Sequence, residues 1–238
     1  MAMKRIAISG LLSFILMLMV FTPLGQVTAA ATKTGVVDIQ SGVLNVRNGP
    51  GIKYPKIGAL KNKTNITIYS VKNSWLQIKY GKKKGYVSDD YVRLYRPFSS
   101  ATAKKISNKA FRLERKTWEK NYTKSQIFSL MAPGFTKTYI DKYFKQQYRP
   151  AGKDKKGNLL YHIIETEIWG LALYPIDWKP AYEPKKPTVT YYIKNGREYL
   201  SISQYHLNDE SGNKTTTICF IKSKGNWFIY DHKVKYHH

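Results

Sequence analysis

LNVRNGPG, Leu44 to Gly51, decides how the first third of the chain is read. Leu44 and Val46 alternate with Asn45 and Arg47, so in a strand one pair points to one side and the other pair to the opposite side. Asn48-Gly49-Pro50-Gly51 then turns the chain: glycine is free to take positive φ, and proline fixes its own φ. Working outward, GVVDIQ, VLNVRN, KIGAL, NITIYSVK, WLQIKY and GYVSDDYVRL fill the span from Thr34 to Tyr95. Strong β-formers alternate with polar residues between turn formers, and no helical period appears. Short strands punctuated in this way over about 60 residues predict a small all-β barrel.

Beyond the barrel, Arg96 to Lys104 (RPFSSATAK) lacks alternation and reads as a linker over 97–104. Ile106, Ala110, Leu113, Thr117 and Trp118 then recur at steps of three and four, the stripe of one buried helix face. Lys109, Arg112, Glu114, Arg115 and Lys116 fall between them and are expected to face water. Thr123 is a helix start signal ahead of SQIFSLM, and Pro133-Gly134 interrupts the chain. FTKTYIDKYFKQQY follows, with Phe135, Tyr139, Tyr143 and Phe144 on one side, and 150–158 reads as a loop. Last come four strands: TVTYYIK and REYLSISQYHL joined by Asn195-Gly196, a strong hairpin signal, then KTTTICFIK and NWFIYDHKV around Lys224-Gly225. Residues 105–238 therefore predict an α+β domain, helices first and an antiparallel meander after.

The N-terminus supplies an address. MAMKR is followed by an apolar run from Ile6 to Leu24 and then GQVTAAAT. A basic start, a hydrophobic stretch and small-x-small positions up to Ala31 predict a signal peptide over 1–30. Nineteen apolar residues just suffice for an uncleaved anchor, but Pro23 and Gly25 break the run, so the expected mature chain has no membrane span. Cys219 is the only cysteine, so no intrachain disulfide staples an exported protein.

The formal net charge is +25, a statement about partners rather than fold. Export sets nucleic acid aside and leaves the polyanions of a bacterial envelope, teichoic acids or phospholipid headgroups. The barrel segment is the denser pole: residues 33–96 hold thirteen Lys and Arg against Asp38, Asp89 and Asp90. Lys82-Lys83-Lys84 is its sharpest cluster and a candidate polyanion contact, with a salt-dependent hold.

The barrel segment resembles the bacterial SH3-like (SH3b, type 3) domain. The resemblance is carried by Leu44-Asn45-Val46-Arg47-Asn48-Gly49-Pro50, Tyr54, Ile57-Gly58, Leu60, Ile66-Thr67-Ile68, Trp75, Ile78, Gly85-Tyr86-Val87 and Tyr91-Val92. Asn48 stands where that motif often has Ser or Gly. The fold class is thus multi-domain, an SH3-like barrel over 31–96 followed by an α+β domain. The resemblance implies a non-catalytic wall-targeting module of a Gram-positive bacterium that binds the peptide part of peptidoglycan. Candidate ligand contacts are Asn45 and Arg47, opposite the Leu44/Val46 core pair, with Tyr54, Trp75, Tyr86 and Tyr91 as an aromatic groove. The alternative for Asn45 and Arg47 is that they close the turn, and for Trp75 and Tyr86 that they pack the barrel.

SH3b modules often accompany hydrolases, so any catalytic chemistry would lie in 105–238. Cys219 lies inside a strand, flanked by Ile218 and Phe220, which suits a core residue better than a nucleophile. The histidines are His162, His206, His232, His237 and His238. His162 with Glu165 has helical spacing but no third ligand, so no metal and no cofactor is expected. Glu165 and Glu167, in HIIETEIWG, are the best carboxylate pair for glycan cleavage and carry the alternative of a wall hydrolase. The segment YTKSQIFSLMAPGFTKTYIDKYF with the final GNWFIYD resembles an uncharacterised domain of secreted Bacillus-type proteins, and its order is similar to NTF2-like folds. In such a fold Phe135, Tyr143, Trp169, Tyr191, Tyr205 and Trp227 would line a pocket or fill the core. The expected protein is secreted and wall-associated: its barrel holds peptidoglycan, with teichoic acid assisting, and its second domain engages another partner such as a wall enzyme. A purely electrostatic envelope binder is the remaining alternative.

Overall fold

The structure is a computed structural model that describes residues 33–164, 170–207 and 212–237. The predicted signal peptide, Glu165, Glu167, Trp169 and His238 lie outside the described residues.

Seven strands form the barrel: β1 (Lys33–Val37), β2 (Leu44–Arg47), β3 (Lys56–Leu60), β4 (Asn65–Lys72), β5 (Trp75–Tyr80), β6 (Lys83–Ser88) and β7 (Val92–Arg96). A single 3-10 turn, Asp89–Tyr91, joins β6 to β7, with the Ser88 side chain capping the Asp90 N–H. Alternation does the work it promised. Val37, Leu44, Val46, Ile66, Ile68, Leu76, Ile78 and Val87 meet in one buried cluster, and the residues between them face outward.

The next element corrects the linker expected at 97–104. Only Pro97, Phe98 and Ser99 are irregular, and Ser99 caps helix α1 (Ser100–Lys116) through the Thr102 N–H. Ser/Ala/Thr content reads as loop by composition, yet behind an N-cap serine it makes an acceptable first turn. A second correction concerns Glu114. It is fully buried rather than facing water, because the inward stripe of α1 runs through Ala103, Ser107, Ala110 and Glu114.

Helix α2 (Lys124–Met131) starts at a complete capping box between Thr123 and Gln126. Helix α3 (Lys137–Gln147) starts at Thr136 and buries Tyr139, Ile140, Tyr143 and Phe144, joined by Phe135 from the preceding turn. The expected loop 150–158 is narrower: β9 (Tyr148–Lys153) and β10 (Leu159–Ile163) pair across a turn built on Asp154, and β8 (Tyr122–Thr123) completes this small sheet.

The meander comprises β11 (Thr188–Lys194), β12 (Arg197–His206), β13 (Lys214–Ser223) and β14 (Asn226–Tyr236). Asn195-Gly196 and Lys224-Gly225 turn its two hairpins, all four residues at positive φ as a two-residue turn of this twist requires. Among the described residues the C-terminal region is thus strand-rich with three helices, and its core packs helix residues onto Leu200, Ile202, Ile218, Phe220 and Ile229.

The barrel and the meander share one sheet. Strand β11 pairs antiparallel with β7, Tyr192 opposite Tyr95 and Ile193 opposite Leu94, giving an eleven-stranded order β14-β13-β12-β11-β7-β1-β4-β5-β6-β2-β3. Ile193 packs against the barrel core. No linker separates the two parts.

Candidate functional site

The stretch LNVRNGPG is held by its own turn. The Arg47 guanidinium donates to the Tyr54 carbonyl at 2.7 Å, and the Asn48 N–H to the Pro55 carbonyl. Gly49 is required by close approach: a β-carbon there would overlap the Tyr54 ring, which lies against it. The overlap reaches the root of the ring as well as its edge, so Gly49→Ala is expected to cost about 2 kcal/mol, read as a lower urea midpoint with unchanged slope.

Beside this turn lies an open groove of about 780 Å³. Its walls come from the β1–β2 loop, β2, the β4–β5 turn and the 3-10 turn, with Val43, Ile52, Trp75 and Tyr91 supplying apolar surface. Val43, Ile52 and Tyr91 are each about half exposed or more. Of the residues singled out from the sequence, Asn45, Arg47, Trp75 and Tyr91 come together here. Tyr54 instead packs on Gly49, and the Tyr86 hydroxyl accepts from Gln77 Nε2 at 2.6 Å. Arg47 lines the groove and at the same time closes the turn. Lys82, Lys83 and Lys84 are exposed at the β5–β6 turn and do not line the groove.

One groove residue comes from the other half of the chain. Lys194, at the end of β11, donates to Asp38 Oδ2 at 2.6 Å and to the Asp38 carbonyl. Arg93 and Lys63 take Oδ1 at 2.9 and 3.1 Å. Burial alone would raise the Asp38 pKa, but hydrogen bonds from Lys194, Arg93 and Lys63 hold it well below the usual carboxylate range. Asp38 is therefore committed to structure. Asp90 is exposed in the groove, and burial, helped by the charge of Asp90, raises the neighbouring Asp89 carboxyl above its ordinary pKa. Lys194 could not be assigned to this site from sequence, because 156 residues separate it from Asp38.

A second polar cluster lies under the irregular segment 170–187. Glu183 Oε1 meets His206 Nδ1 at 2.5 Å, and His206 Nε2 meets Thr216 Oγ1 at 2.8 Å. This is an acid–imidazole–hydroxyl relay, but Thr216 is fully buried and the cluster fixes the segment to the sheet. His232 is also buried there, and that burial lowers its pKa to about 4. Cys219 is buried on β13, and burial pushes its thiol pKa up, away from nucleophilic use. Among the described residues no group of three His, Cys, Asp or Glu is placed to hold a metal ion. Of the six aromatics expected at a pocket, Phe135 and Tyr143 are core, and Tyr191 and Trp227 pack half-buried against it. Tyr205 stands on the other face of the sheet, its ring tilted against that of His237.

Residues 42–93 match the bacterial SH3 domain family, a fold typical of cell-wall binding. The chain thus carries a bacterial SH3 domain. A stretch of 57 residues is 39% identical to bacteriocin BCN5 of Clostridium perfringens, covering 24% of this chain and 6% of that protein. Among the described residues no helix is long and apolar enough to cross a membrane.

Proposed function

We propose that this is a secreted, non-enzymatic wall protein whose SH3 groove holds the peptide part of peptidoglycan. The observation that carries the reading is the groove itself: on a domain typical of wall binding, Trp75 and Tyr91 flank an open trough with polar Asn45 and an exposed Asp90. Aromatic walls supply area at low entropic cost, and Asn45 with Asp90 offers acceptors for peptide amides and amines. The lysines around the barrel add a nonspecific attraction to teichoic acid that salt weakens. The C-terminal region, read as an NTF2-like scaffold, engages a second partner such as a wall enzyme. The bacteriocin shares only a short stretch with this chain.

The test uses 33–238 whole, because the shared sheet forbids cutting at residue 97. The protein is incubated with sacculi stripped of teichoic acid across a salt series. Retention is expected to persist at high salt and to fall at least tenfold in Trp75→Ala with Tyr91→Ala. Retention that needs teichoic acid, collapses with salt and ignores that double variant would establish the electrostatic reading instead.

A further inference from the structure

The face of the shared sheet turned away from the helices carries an ordered pattern. Register places Tyr95 opposite Tyr192, Tyr192 opposite Tyr199, Tyr199 opposite Ile221, and Ile221 opposite Phe228. One straight row of five apolar side chains therefore crosses β7, β11, β12, β13 and β14. None of the five belongs to either hydrophobic core or packs against one, and all are partly exposed. The rings are ordered: Tyr95 and Tyr192 lie 5.7 Å apart, and Tyr192 stacks on Tyr199 at 5.1 Å. The next rows along the same face are more polar: Thr190 and Ser201 continue to Cys219 and Asp231, and Thr188 and Ser203 continue to Thr217 and Lys233.

We propose that this row is a binding track for a linear polysaccharide, the glycan strand of the wall polymer whose peptide the groove takes. The spacing fits: neighbouring strands sit about 4.8 Å apart, close to the length of one pyranose unit, so successive sugars meet successive side chains. Both chemistries of a sugar are met, its C–H groups by the exposed parts of the apolar row and its hydroxyls by Thr190, Ser201, Thr188, Ser203, Thr217 and Asp231 in the polar rows. The track is also continuous with the groove. Arg93 lies 5.0 Å over the Tyr192 ring and pairs with Asp38, which pairs with the groove residue Lys194. A second copy of the chain is a poorer occupant, because closing the face would bury the polar and charged side chains of the neighbouring rows, Asp231 and Lys233 among them.

The inference rests on the wall-binding reading but fails separately from it. Intact 33–238 is titrated by calorimetry with peptide-free glycan strands, with N-acetylglucosamine hexamer, and with a soluble stem peptide. Glycan binding is expected, and Tyr192→Ser with Tyr199→Ser should weaken it at least tenfold while stem-peptide binding stays. Thr190→Arg, which leaves every tyrosine in place and obstructs the path, should weaken it likewise. Glycan binding that is absent, or that both variants leave intact, overturns the track whatever the peptide does. A dimer that Tyr192→Ser with Tyr199→Ser dissociates would overturn it too, by showing the face filled by a second copy. Loss of stem-peptide binding alone counts against the groove reading and leaves the track standing.

Discussion

The folded chain should be most stable between about pH 4.5 and 6.5 and lose about 2 kcal/mol between pH 6.5 and 8, a window set by Glu114 and His232. Glu114 is fully buried, where one carboxylate oxygen accepts the Leu173 N–H at 3.0 Å. Burial raises its pKa to about 8, with Leu173, Arg115 and Tyr143 offsetting only part of the effect. Between its ordinary value and 8 the folded state holds a proton that the unfolded state has released, so rising pH destabilises by about 1.4 kcal/mol per unit. His232 works in the opposite direction. Its folded pKa is lowered to about 4, so from there to its ordinary value the unfolded state holds the extra proton and rising pH stabilises.

The two slopes cancel over their overlap and leave Glu114 alone above pH 6.5. Below about pH 4, protonation of Asp38 against its three cations removes further stability. Thermal melts across pH give the check. Glu114→Gln should abolish the decline above pH 6.5, and His232→Phe should start the decline near pH 4.5 and deepen it to about 4 kcal/mol. A wild-type profile rising from pH 6.5 to 8 would show that Glu114 is ionised in the fold.

Asp38→Ala should cost about 3 kcal/mol and loosen the junction between the barrel and β11. The Asp38 side chain is only 14% exposed and gathers Lys194, Arg93 and Lys63. Removing it leaves Arg93 and Lys194 partly buried without their counter-charge, and a buried pair broken on one side costs 3–5 kcal/mol. The figure belongs at the lower end because Lys63 is largely exposed and rehydrates. Amide exchange should accelerate at Tyr192 to Lys194 before it does in β12 and β13. An exchange pattern unchanged at those residues would mean that backbone pairing alone holds the junction.

The barrel was legible because its information is local. Period-two alternation and an Asn-Gly-Pro-Gly turn are written within eight residues, and so are the Asn195-Gly196 and Lys224-Gly225 hairpins. Thr123 was legible as a start because a capping box needs only its own first turn. Three features were not local. Glu114 looks solvent-facing in a helical projection, and only Leu173, 59 residues away, explains its burial. The groove takes Lys194 through a strand pairing that joins two regions distant in sequence. The aromatic row exists only in register: Tyr95, Tyr192, Tyr199, Ile221 and Phe228 have no regular spacing along the chain and line up because four strand pairings place them so. Composition misled at Ser99 to Lys104, where small polar residues spell linker until a cap is seen in front of them.

The β7–β11 pairing also bears on how the two proposed binding surfaces would work together. In tethered modules a flexible linker sets the effective concentration of the second site, which falls gradually as the linker lengthens. Here three irregular residues and a hydrogen-bonded strand pair replace the tether. Whatever the barrel grips, the meander meets at one fixed angle and distance. Engagement of both surfaces then depends on the spatial repeat of the polymer rather than on chance encounter. Such a molecule discriminates by architecture, favouring a lattice whose parts recur at its own spacing over loose fragments of the same chemistry.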